Sequence, residues 1–133
     1  MARHFYLFVF SLLLWNATAV LAAGEKIFFV EPEDGATVTS PVKLKFGVEG
    51  MKVAPAGDMT PNTGHFHIII DGGPIPAGEV VPKNATHLHY GKGQTETELM
   101  LTPGDHTLTL QFADGAHKSY GPALSQTIKV HVK

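Results

Sequence analysis

There is no cysteine anywhere in the chain. That excludes a disulfide framework, and it excludes thiolate chemistry, including blue copper sites and Cys-type structural zinc. Any metal must then be held by histidine, methionine, carboxylate or backbone. Positive charge is also scarce, with 10 Lys and Arg against 12 Asp and Glu. No basic patch is present, so neither nucleic acid nor an anionic membrane surface is an expected partner. Hydrolytic signatures are missing as well. There is no Gly-x-Ser-x-Gly elbow and no cysteine nucleophile, and Gly91-Lys92-Gly93-Gln94-Thr95 lacks the strand-to-helix context of a phosphate-cradling loop. No organic cofactor is expected.

Long apolar runs are absent except at the start. Arg3 and His4 lead into Phe5-Tyr6-Leu7-Phe8-Val9-Phe10-Ser11-Leu12-Leu13-Leu14-Trp15, followed by the small residues around Ala22 and Ala23. This is the three-part pattern of a secretory signal peptide, with cleavage after Ala22 or Ala23. The apolar run is roughly ten residues, shorter than the ~20 that span a bilayer, so no permanent membrane anchor is expected. Residues 1–23 are therefore read as a leader and 24–133 as one domain, periplasmic or secreted. Loss of Arg3 leaves nine basic and twelve acidic side chains, a formal charge of about −3.

The mature segment has the period of an all-β protein. Residues 26–30 read as a strand closed by Glu31-Pro32-Glu33-Asp34-Gly35. Val42, Leu44, Phe46 and Val48 then alternate with Lys43, Lys45, Gly47 and Glu49. A strand at 65–71 is followed by a long connection running to about Gln94. Residues 95–101 and 106–112 read as a hairpin around Thr102-Pro103-Gly104-Asp105. The last strand sends Ile128, Val130 and Val132 inward. About seven short strands of this kind predict an immunoglobulin-like two-sheet sandwich, with a small β-barrel as the alternative.

What the chain has in quantity is histidine. In Gly64-His65-Phe66-His67-Ile68-Ile69-Ile70-Asp71, strand parity puts Phe66, Ile68 and Ile70 on one face and His65, His67, Ile69 and Asp71 on the other. A second H-x-H pair, His87 and His89, lies in the long connection. Neutral imidazole is the commonest protein metal ligand, so His65, His67, His87 and His89 form a candidate four-nitrogen set if the connection folds back over the strand. Asp71 could orient an imidazole or simply end the strand. His106 shares the parity of Leu108 and Leu110, and either lies on the core side or closes the site. His117 sits in a loop and is a further candidate, whereas His131 points outward. Met51, Met59 and Met100 are too irregularly spaced for a copper motif. The plain alternative for His65 and His67 is a polar pair on a solvated or partly covered sheet face, for His87 and His89 a solvated loop, and for His106 a buried ring bonded to a carbonyl.

Several separated motifs carry a family resemblance: the Gly64–Asp71 stretch, then His87-Leu88-His89-Tyr90-Gly91-Lys92-Gly93-Gln94-Thr95-Glu96, then Leu101-Thr102-Pro103-Gly104-Asp105-His106-Thr107-Leu108, then His117. In this order they resemble the bacterial domain-of-unknown-function 4399 family over essentially the whole mature chain. The resemblance implies an exported small β-domain and assigns no activity. The family's first motif often holds three successive histidines where this chain has Phe66 in the middle. Since Phe66 falls on the apolar face, the His65 and His67 pair keeps its own.

Three functions fit these observations. The first is an exported protein that binds copper or zinc through paired H-x-H motifs. The second is an immunoglobulin-like interaction module, with a small ligand or a periplasmic protein as partner and structural histidines. The third is a metal-dependent redox enzyme, which needs an open coordination position and turnover.

Overall fold

Alternation of apolar and polar residues builds both layers of the molecule. The structure is a computed structural model that describes residues 24–133, so the leader assigned to residues 1–23 lies outside the described residues. Nine strands follow one another: β1 Lys26–Glu31, β2 Ala36–Val38, β3 Val42–Glu49, β4 Lys52–Val53, β5 Thr63–Ile70, β6 His87–Tyr90, β7 Glu96–Leu99, β8 Gly104–Ala113 and β9 Ser125–Val132. Among the described residues a single 3-10 turn, Pro122–Leu124, precedes β9. Among the described residues no helix is long and apolar enough to cross a membrane.

The small sheet has the order β1-β3-β7, and the large one runs β2-β9-β8-β5. The far edge of β5 is shared: β4 pairs in parallel with Thr63 and Gly64, and β6 pairs antiparallel with Phe66 to Ile69. Between the sheets lies the core. Val42, Leu44 and Phe46 from β3 meet Phe66, Ile68, Leu108, Leu110, Phe112, Ile128, Val130 and Val132, all buried. The Phe46 and Phe66 rings meet edge-on at 4.9 Å between centroids, a favourable arrangement of their quadrupoles. The two-sheet, all-β expectation holds.

Three details differ from the sequence reading. The segments expected to form a hairpin belong to different sheets, because β7 pairs with β3 while β8 pairs with β5 and β9. Residues 100–103 cross between the layers, and buried Leu101, whose N–H donates to Ser40 Oγ at 3.0 Å, pins the crossing. The connection after Asp71 also contains a strand, β6, which carries both His87 and His89. β2 and β4 are too short to show a period, which accounts for the higher strand count.

The outer face of the large sheet is covered as well, so β5 is buried on both sides. Residues 72–86 and 114–121 form the cover. Gln111, fully buried, fastens them: its Oε1 accepts from Ile75 N, and its Nε2 donates to Gly121 O and Leu124 O. The two segments also bond to each other, through Gly78 N to Ser119 O, Ser119 N to Glu79 O and Val81 N to His117 O. This cover gives the outward-facing residues of β5 a dry environment.

Candidate metal centre

His65 and His67 project from one side of β5, as alternation requires, and are 0% and 1% exposed. His89 stands opposite His67 in the β5–β6 register, which puts its ring on the same face. The fourth ring, His117, arrives from a turn. Asp114 Oδ1 accepts from Ala116 N and Lys118 N, and His117 N donates to Asp114 O at 2.9 Å. His117 itself takes a left-handed conformation, φ 63°, and its carbonyl is held by Val81 N.

These four imidazoles converge, with one ring nitrogen of each lying within 4.8 Å of the others. His65 Nε2 is the hub, 3.0 Å from His67 Nε2, 3.1 Å from His117 Nδ1 and 3.2 Å from His89 Nε2. A single ring nitrogen is either a donor or an acceptor and serves one partner well. Three such contacts on one nitrogen exceed what hydrogen bonding can satisfy. A cation among the rings would use all four lone pairs at once. Nitrogens of a tetrahedral zinc site with bonds of ~2.0–2.1 Å stand about 3.3 Å apart, and the three separations at His65 Nε2 fall within a few tenths of that.

Electrostatics keep His65, His67 and His89 in the ligating form. Burial, reinforced by neighbouring His89 and His117, pushes His65 down to about 4, against the opposing pull of Asp114. Burial and the other rings push His67 down to about 3. His89 is lowered by burial first, then by His117 and Lys83. Near neutral pH the inner pair is uncharged with its lone pairs free. One feature is unusual for a metal centre: His65 Nδ1 and His67 Nδ1 are buried with no hydrogen-bond partner among the described residues. Metal-bound imidazoles ordinarily donate that second N–H, which orients the ring and raises its basicity. Here packing alone orients the inner pair.

The remaining sequence candidates lie elsewhere. His87 shares a face with His89, but its Nδ1 turns to Asn84 Oδ1 and Thr86 Oγ1, both at 3.0 Å, and it is not in the cluster. Asp71 and His106 pair with each other at 2.9 Å, at the opposite end of β5 from His65. His131 bonds Asp105 on the surface. His117 therefore occupies the place that sequence spacing suggested for His87. The signal that could have found it is the tight turn Asp114-Gly115-Ala116-His117, whose aspartate is suited to hold the following N–H groups.

Gly91 completes the local packing, because a Cβ there would run into His89 Cε1 and Nε2. Only a residue without a side chain leaves the ring its place.

No curated protein matches the chain. Among solved structures, the endo-beta-1,4-mannanase from Thermotoga petrophila is similar in fold, with a TM-score of 0.52 at 16% identity, covering 87% of this chain and 21% of that one. The chain thus spans about a fifth of that enzyme's length, and the likeness concerns the fold alone. The family described as Domain of unknown function (DUF4399) matches residues 44–133, which hold all four converging histidines, and the chain belongs to that family.

Proposed function

We propose that this is an exported domain that binds a transition metal, zinc or copper, through His65, His67, His89 and His117. The observation that carries the reading is the triple contact at His65 Nε2, which hydrogen bonds cannot satisfy and a shared cation can. An all-imidazole set without thiolate or carboxylate suits zinc and copper and disfavours calcium or magnesium. Four protein ligands fill a tetrahedral zinc shell, which favours binding or carriage over hydrolysis at an open position. Export rests on the leader-like pattern of residues 1–23.

A second reading has one observation in its favour. The unpartnered Nδ1 atoms of His65 and His67 lack the outer hydrogen bonds of a built metal centre, as a purely structural cluster would. Thermal melts in chelator and in added zinc or copper separate the two. A ligand that binds only the folded state raises stability by RT ln(1 + [L]/Kd), about 2.7 kcal/mol at a hundredfold excess over Kd. The metal reading expects a rise of that order that chelator reverses, and identical melts would reject it.

A further inference from the structure

The cluster is not sealed. A cavity of about 180 Å³ adjoins it, lined by His67, His89, His117, Val80, Val81 and Lys83. Three of its six lining residues are rings of the cluster, and His89 and His117 are only partly buried, so solvent reaches the centre from this side. At about 30 Å³ per water in the liquid, the space equals roughly six waters, enough for a molecule of a few heavy atoms.

Charge decides what kind of molecule. Four neutral imidazoles would leave a dication with its charge uncompensated. The carboxylate that acts on His65, Asp114, already accepts two backbone N–H groups through Oδ1. Lys83 adds a further positive charge to the wall of the cavity, and it is close enough to oppose protonation of His89. Val80 and Val81 contribute apolar wall, which strengthens attraction between charges inside. A metal-loaded centre therefore presents a small, positively charged recess.

Resting on the metal reading above, we propose that this recess is a second binding site, in which a small carboxylate coordinates the bound metal as an additional ligand and pairs with Lys83. Zinc sometimes expands from a filled tetrahedral shell to five ligands, and carboxylate oxygen is an accepted zinc donor beside imidazole. The carboxylate oxygen contributes a lone pair to the metal, and no bond is broken.

The test uses the tag-free exported protein loaded with Co(II), whose visible absorption weakens on passing from four to five ligands, titrated with acetate at low ionic strength. Cobalt uptake is measured first on the same sample. The proposal expects a saturable loss of absorption and a half-saturating acetate concentration roughly fivefold higher in Lys83→Met, the scale of one exposed charge pair, with both proteins held at full cobalt loading. Cobalt bound without any response to acetate overturns the recess and leaves the metal centre standing. An equal response in Lys83→Met overturns the pairing with lysine. No cobalt uptake overturns the centre and the recess together.

Discussion

His89 faces His67 across the β5–β6 ladder, and its Nε2 lies 3.2 Å from His65 Nε2. His87, two residues earlier on the same strand, faces Ile69 instead and bonds to its own turn. One H-x-H pair therefore supplies two rings to the cluster and the other supplies one.

This asymmetry yields the sharpest mutational contrast. His89→Ala should weaken zinc or copper binding at least about a hundredfold, beyond the ~10–100-fold that follows loss of an outer hydrogen-bond partner. His87→Ala should leave affinity within about twofold. Competition with a chromophoric chelator measures both.

The contact at Gly91 predicts a lesion that spares the fold. In Gly91→Ala the new Cβ displaces the His89 ring, which is partly exposed and free to swing outward. Metal affinity should fall about tenfold or more, while the melting temperature of the metal-free protein changes by only a few degrees. Calorimetry with and without metal checks this.

Much of this was legible in the chain, and the limits are physical. Alternation revealed β3, β5 and β9 and put His65 and His67 on one face, because side-chain parity is local. It could not choose between His87 and His89, since register between β5 and β6 depends on pairing across the long connection that separates them. Nor could it place His117, which a turn carries to the cluster from 52 residues beyond His65. The hairpin expected of β7 and β8 failed for a related reason: Gly104 and Asp105, expected in its turn, already belong to β8, and the partner of β7 is β3, against which Leu99 is buried.

Acid should unfold the metal-free protein earlier than a domain without the cluster. His65 and His67 have folded values of about 4 and 3, below the ordinary 6.5. Between those limits the unfolded chain takes up protons that the folded chain refuses. Stability is therefore complete above about 6.5 and lost as pH falls toward 4 and then 3, at roughly 1.4 kcal/mol per pH unit for each ring. Urea midpoints from pH 7 to 4 should fall more gently in a His65→Ala, His67→Ala double variant, which removes this uptake.

The pair at the other end of β5 has the opposite sign on its basic side. His106 Nδ1 faces Asp71, and Nε2 lies 2.8 Å from Thr102 O, so both nitrogens meet acceptors. The hydrogen bond to Asp71, with that to Thr102, raises His106, and the hydrogen bond to His106 lowers Asp71. The His106 contribution is complete below its unfolded value and lost as pH rises through the folded one. The Asp71 contribution is lost in acid, as pH falls through its lowered value. Because Asp71 is half exposed, the whole effect should stay below about 1 kcal/mol. Asp71→Asn should remove it without changing metal affinity, as comparison of urea midpoints at pH 6 and 8 with chelator titration would show.

Metal content and stoichiometry of the tag-free domain, beside His65→Ala, His67→Ala, test the central claim most directly. The account predicts one zinc or copper per chain, absent from the double variant although that variant still folds by circular dichroism. No metal in the parent after loading and dialysis, with the double variant merely less stable, would contradict it and return the four histidines to the fold.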